Sequence, residues 1–186
     1  MKKQRLKFSI FNFQLSTFLV LLLASCSEDV QTDQFSSTNG NVVATRTIKG
    51  ADTTWTINDA NGVPLVADCD SIKVIASYPT SQPKEAIFHH KGQQTLISFY
   101  ENMERWIEGD LKNDLREGLW IGYDQLTGKK MSETYYTNGV ENGPYKTFYK
   151  NGEPFIVGQY SNGKKVGKWS IYDEYGVLEA TEDHDN

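Results

Sequence analysis

The sequence predicts an all-β chain, an antiparallel meander of β-hairpin repeats of about 24 residues forming a twisted single-layer sheet behind a disordered N-terminal tether. Three observations carry this. The string Gly118-Leu119-Trp120-Ile121-Gly122-Tyr123 returns as Gly143-Pro144-Tyr145-Lys146-Thr147-Phe148 and again as Gly167-Lys168-Trp169-Ser170-Ile171-Tyr172, at spacings of 25 and 24 residues. Between these copies fall Asn138-Gly139, Asn151-Gly152, Asn162-Gly163 and Tyr175-Gly176, so a glycine turn recurs about every twelve residues. Asn-Gly pairs accept the positive φ angles of tight hairpin turns. The five to seven residues between turns suit strands, are too short for helices, and are rich in Tyr, Trp, Phe, Thr and Ile.

In chain order, residues 1–25 form a targeting segment outside the fold. Lys2, Lys3, Arg5 and Lys7 precede an apolar stretch from Phe8 to Leu23, densest in Phe18–Leu23. That dense run is much shorter than the ~20 residues a spanning helix needs. The following Leu23-Ala24-Ser25-Cys26 resembles the lipobox of bacterial lipoproteins. In that chemistry, small residues fit the signal peptidase and the Cys26 sulfur takes a diacylglycerol before cleavage. Cys26 is therefore the expected lipidation site and the membrane partner contact. Ser27 resembles the sorting context of outer-membrane lipoproteins, and Glu28-Asp29 an export signal of surface-exposed ones. The expected address is the outer membrane, lipid-anchored, on its periplasmic or cell-surface face.

Residues 26–52 read as a flexible tether, since Ser, Thr, Asn, Gln and Asp dominate from Ser27 to Gly50 and leave little apolar surface to offset ordering. Residues 53–93 read as an N-terminal β region. Thr53–Asp59 is rich in β-formers, Asn61-Gly62 is a turn, and Pro64 marks an edge or an interrupted strand. The distance from Trp55 to Gly62 equals that from Trp169 to Gly176, which makes this segment a candidate degenerate repeat. Ser71–Ser77 and Ala86–Gly92 are further strand candidates, separated by Pro79 and Pro83.

The hairpin repeats occupy residues 94–178. Shifting the frame back by 49 residues sets Phe99-Tyr100 under Phe148-Tyr149, Trp106 under Phe155, Gly109 under Gly158 and Asn102 under Asn151, while Met103 stands where Gly152 does. Four units then start near Gln94, Gly118, Gly143 and Gly167. Leu96 to Leu111 also has the composition of a short helix; the register match favours strand. Residues 179–186 read as a frayed acidic tail. In the ribbon, Trp120, Tyr145 and Trp169 form one row, and Tyr123, Phe148 and Tyr172 another. The odd offset between the rows places them on opposite faces.

This series of Gly-x-(Trp/Tyr)-x-x-(Tyr/Phe), Asn-Gly and Gly158-Gln-Tyr160-Ser-Asn162-Gly163-Lys-Lys-Val-Gly167 resembles the MORN-repeat-variant family, whose bacterial members are often labelled antitoxin-like. Met103 and Leu126-Thr127-Gly128 depart from its turn pattern. The resemblance implies a twisted sheet of hairpins with a scaffold or binding role and no catalytic residues. The antitoxin label conflicts with export, because a cytoplasmic toxin does not meet an exported lipoprotein.

Composition narrows the partners. Without residues 1–25 the chain keeps 15 basic against 24 acidic residues, a net charge of −9. Such a surface repels phosphate backbones and anionic headgroups, which disfavours nucleic acid. With Cys26 acylated, Cys69 has no partner in the chain for a disulfide and is expected to be a small buried residue. His89 and His90 are adjacent and diverge on a strand, and His184 sits beside Glu182, Asp183 and Asp185 without a calcium-loop spacing, so no metal site or cofactor is expected. Asp68 and Asp70 lack a cleft for paired-carboxylate chemistry, and Lys164, Lys165 and Lys168 suit a solvated turn.

The resulting expectation is a non-enzymatic protein- or glycan-binding module of the envelope, with Tyr123, Phe148, Tyr172, Trp120, Tyr145 and Trp169 as candidate binding aromatics. The alternative is a passive structural or assembly component of the outer membrane. Cys26→Ala should move the chain from the membrane to the soluble fraction. A chain that still sediments with membranes after this change would overturn the anchor.

Overall fold

The computed structural model describes residues 30–184. Thirteen strands make up the described fold. A first sheet contains β1 (Val30–Ser36), β2 (Val42–Lys49) and β3 (Asp52–Asp59). The second begins with β4 (Ser71–Ser77), β5 (Pro83–His90), β6 (Gln93–Phe99) and β7 (Arg105–Lys112). It continues through β8 (Leu115–Tyr123), β9 (Lys130–Thr137) and β10 (Val140–Phe148). β11 (Pro154–Ser161), β12 (Lys164–Tyr172) and β13 (Leu178–His184) complete it. Within this ten-stranded sheet every strand pairs antiparallel with its neighbour in sequence, the predicted meander. Leu96 to Leu111 is two strands and a turn, not a helix.

Two segment expectations are corrected. The tether expected over residues 26–52 is folded from Val30 onward, where β1 pairs with β2 from Val30↔Lys49 to Ser36↔Val43; Cys26 and Ser27 to Asp29 lie outside the described residues. A strand with one packed face needs an apolar side chain only at every second position. Here Phe35, Val42 and Ala44 fill those positions. The buried Asp33 carboxylate is neutralised by Arg46 at 2.5 Å, and the Arg46 guanidinium also lies 5.9 and 5.8 Å from the Phe35 and Trp55 rings. At the other end, the expected frayed tail is strand β13 as far as His184. Asp183 stands opposite Lys168 on β12, Glu182 meets Lys165 at 3.6 Å, and the His184 ring packs edge-on to Trp169.

The turns fall into two chemical kinds, one at each long margin of the large sheet. At one margin lie two-residue hairpins with positive φ at both central positions: Lys91-Gly92, Asn113-Asp114, Asn138-Gly139 and Asn162-Gly163. This is the type I′ geometry that matches strand twist. At the opposite margin, loops opening at Tyr78, Tyr100, Asp124, Tyr149 and Asp173 each close by a backbone N–H donated to the carbonyl four or five residues on. Asp124 and Asp173 accept backbone N–H groups inside their own loops. Tyr78, Tyr100 and Tyr149 instead reach forward, their hydroxyls donating to the carbonyls of Phe99, Tyr123 and Tyr172 at 3.0, 3.0 and 2.8 Å. Asn102 and Asn151 repeat that link to Gln125 and Glu174. Each such loop is thus tied to the next one along. Met103 adopts φ +65°, a glycine-type conformation, and its side chain is fully buried in the main cluster. Burial there offsets a backbone strain of order 1 kcal/mol.

That cluster joins the two sheets. Phe35, Val42, Ala44 and Ile57 of the small sheet meet Ala86, Phe88, Ile97, Phe99 and Met103, with Ile72 and Val74 of β4 packed alongside. Among the described residues it draws on no strand beyond β6, so β7–β13 build their packing from their own side chains. They do so by alternating small and large residues. Trp120 stands between Gly109 on β7 and Thr134 on β9. Tyr145 stands between Thr134 and Gly158 on β11. A Cβ built on Gly109 would meet the Trp120 ring at 2.5 Å, and one on Gly158 the Trp169 ring at 2.2 Å. Both indoles therefore lie flat across a neighbouring backbone.

Gly109→Ala and Gly158→Ala should each lower stability by about 1–3 kcal/mol, the cost of overpacking. Thermal or denaturant midpoints would show it, with Gln125→Ala on an exposed loop as the comparison.

Candidate binding surfaces

The two predicted aromatic rows lie on opposite faces. The Trp120 ring covers Gly109, whereas the Tyr123 hydroxyl donates to Glu108, the preceding residue of β7. Adjacent strand residues point to opposite sides.

On the first face, Trp120 and Trp169 retain only 1% and 2% of their exposure. Tyr145 is half-buried, its centroid 5.3 Å from Trp169 and 5.4 Å from Tyr160. Tyr160 meets Trp169 edge-on at 5.1 Å, and Tyr136 does the same to Trp120 at 6.0 Å. Cations roof the indoles: Arg116 lies 4.3 Å from the Trp120 centroid and Lys165 4.4 Å from that of Trp169. Such stacks contribute about 0.5–1 kcal/mol where exposed. The Trp120 Nε1–H donates to the Asp110 carbonyl at 3.2 Å. Burial pushes the Tyr145 and Tyr160 phenols up, with Glu141 adding to the effect. This face is packed, and its tryptophans are a lateral core.

The second face carries Tyr123, Phe148 and Tyr172, all half-buried. It belongs to the side that the small sheet covers at β4–β6, since Ile97 of the core stands opposite Glu108, and Glu108 opposite Ile121. Here the repeat has written a second pattern. Arg105 donates to Glu108 at 3.0 Å and lies 5.1 Å from the Tyr123 centroid. One unit on, Lys130 pairs with Glu133 and lies 4.9 Å from the Phe148 centroid. At the next unit these positions are Pro154 and Val157 beside Tyr172, so the cation–acid pair is replaced by apolar surface. The row thus grades from ion-paired to apolar.

A third set was not anticipated. The loop margin exposes Trp106 at 46% and Phe155 at 37%. Trp106 packs tilted against Tyr100 at 6.0 Å, and Phe155 likewise against Tyr149 at 4.9 Å. The signal was present in the sequence as a Tyr followed six residues later by an aromatic, twice, 49 residues apart. Gly109 and Gly158 were likewise aligned by the repeat frame without revealing that they are pads beneath indoles.

The remaining polar candidates have local roles. His90 Nε2 bonds the Thr95 hydroxyl at 2.9 Å, and that hydroxyl donates to Asp110 at 2.7 Å. His89 lines a shallow pocket of about 480 Å³ with Gln94, Asp110, Lys112 and Glu117. Asp68 pairs with Lys91 at 2.5 Å, and Asp70 accepts the Lys91 backbone N–H at 3.0 Å. Cys69 is half-buried against the main cluster rather than fully enclosed. Burial pushes its thiol up, and its S–H donates to the Ser71 carbonyl at 3.3 Å. No protein-family model matches the chain, nor does any curated protein.

Burial first, then the hydrogen bond and charge of Glu108, push the Tyr123 phenol well above its ordinary value, with Arg105 opposing. A folded-state value above the unfolded one, about 10, means that the neutral phenol stabilises fully below that pH and loses its contribution as pH rises past it. Tyr123→Phe should cost about 1 kcal/mol at neutral pH. Denaturant midpoints measured from about pH 8 to about pH 11 should show the gap to wild type closing above about pH 10.

Proposed function

We propose that the chain is a lipid-anchored, non-enzymatic module of the bacterial outer membrane that binds an envelope protein or glycan through the face of Tyr123, Phe148 and Tyr172. We further infer that it is a divergent MORN-variant repeat protein carried on a lipoprotein, from the repeat string, the alternating turns and the Leu23-Ala24-Ser25-Cys26 sequence. The observation that carries the binding reading is the division between the two rows. Trp120 and Trp169 are enclosed, while Tyr123, Phe148 and Tyr172 remain partly exposed on strands that, among the described residues, lie outside the cluster joining the two sheets. Exposed apolar surface rimmed by polar groups is characteristic of interaction sites. The grading along the row supports a partner with both polar and apolar features, the Arg105–Glu108 and Lys130–Glu133 pairs meeting the first and Tyr172 the second.

One feature favours the alternative of a passive envelope component: cations lie over two of the three rings, which satisfies them without a ligand.

The readings part on one experiment. A photo-crosslinking residue at Lys146, which lies on this face between Glu133 and Val157, is tested in intact cells with and without Tyr123→Ala, Phe148→Ala and Tyr172→Ala. The binding reading expects one discrete adduct that the triple variant loses at a temperature where its circular dichroism shows the sheet still folded. Absence of an adduct, or one unchanged by the triple substitution, would support the passive reading.

A further inference from the structure

We propose that β13 is a docking edge, and that an extended, basic segment of a partner protein adds to the large sheet alongside it. This goes beyond the face proposed above and does not rest on it. Among the described residues β13 pairs only with β12, at the end of the strand order. Every second residue of an edge strand turns its N–H and C=O away from its one neighbour, leaving a row of groups for another strand. Proteins commonly blunt such an edge with proline, bulges or lysine. From Leu178 to His184 there is no proline, glycine or lysine. Past the single shift at Tyr172, pairing with β12 runs unbroken from Ala180 to His184. All of β13 but His184 is exposed.

Charge chooses the occupant. β13 presents Glu179, Glu182 and Asp183, while β4, at the opposite end of the sheet, has Lys73 as its one charged residue. Two copies of β13 in full antiparallel overlap, centred on Thr181, would set Glu179 against Asp183 on both sides of the centre, and like charges directly opposite are unfavourable. A second copy is thus a poor fit and a strand bearing Lys or Arg a good one. The surroundings suit such a side chain as well. Glu182 lies opposite Trp169, so a basic residue paired with Glu182 can lay its methylene stem toward the edge of the indole. Glu182 meets Lys165 at 3.6 Å and the His184 ring nitrogen at 3.3 Å through one oxygen, Oε2, with its side chain half-exposed, so its other oxygen, Oε1, faces a strand laid along β13.

The test uses the full chain with two synthetic peptides, one alternating lysine and valine, the other glutamate and valine. Hydrogen exchange should slow in residues 178–184 with the lysine peptide alone, and added salt should weaken the effect. The triple change Glu179→Lys, Glu182→Lys and Asp183→Lys should reverse the preference between the peptides by about tenfold or more, as three cross-strand pairs change sign. Because that variant could loosen β13, Ala180→Pro and Thr181→Pro form a second arm. Adjacent N–H groups point to opposite sides, so the proline that removes the outward one should abolish peptide protection while exchange in β12 is unchanged. Tyr123→Ala should leave protection of β13 intact, which separates this edge from the aromatic face. The proposal falls if neither peptide protects β13, if both protect it equally, if both proline variants bind as the parent does, or if raising the concentration of the chain alone protects β13 by self-pairing.

Discussion

The described structure depends on the close approach of two tryptophan rings to glycine backbone. Among the described residues no second layer packs on strands β7–β13, so the apolar surface that holds them is buried within the sheet's own thickness. Trp120 over Gly109 and Trp169 over Gly158 achieve this, because the missing Cβ lets each indole lie flat across a neighbouring strand. A buried aromatic of this size removes roughly 150–250 Å² from water, about 4–6 kcal/mol of transfer free energy before entropy is subtracted. Tyr136, Tyr145 and Tyr160 then fill between the indoles.

The bulge glycines make that geometry available. β8 takes three steps from Glu117 to Trp120 where β7 takes one from Asp110 to Gly109. β10 and β12 each take four steps where their neighbours take two. Gly118, Gly143 and Gly167 carry positive φ in these excursions. An excess of two residues preserves the in–out alternation while bending the strand, so the aromatic that follows each glycine stays on its face but leans onto the neighbouring strand. The recurrent Gly-x-aromatic string is therefore a bulge with its ring, whereas the Asn-Gly pairs at 138–139 and 162–163 are hairpin turns.

This arrangement also divides the labour of the two faces and two ends. With the tryptophan face occupied by packing, the opposite face is free to vary, and its pattern changes from Arg105–Glu108–Tyr123 to Lys130–Glu133–Phe148 to Pro154–Val157–Tyr172 without disturbing the strands. The ends differ similarly. Repeat arrays bury their inner units against neighbours and require special treatment at the termini. The first strands are sealed by the β1–β3 sheet through Phe35, Ile57, Phe88 and Met103, while at the other end β13 sets acidic side chains and the His184 ring against β12.

The all-β class, the meander, the hairpin turns and the opposition of the two rows were legible in the sequence because each follows from local chemistry: a turn needs residues tolerant of positive φ, and side chains alternate along a strand. The Met103 turn survived the loss of its glycine because the core encloses the side chain, which no local rule could indicate. The same holds for β1 and β2, whose composition resembles a tether and whose order comes from Asp33–Arg46 and from apolar partners far along the chain. It holds also for β13, where Lys165 meets Glu182 and the His184 ring packs on Trp169 across the sheet. By itself, then, the sequence determined the period of the repeat, the chemistry of its turns and which aromatics share a face. Only the tertiary structure decided which face is core, which glycines are pads and that β1, β2 and β13 are strands, because those depend on contacts between residues that sequence spacing does not bring together.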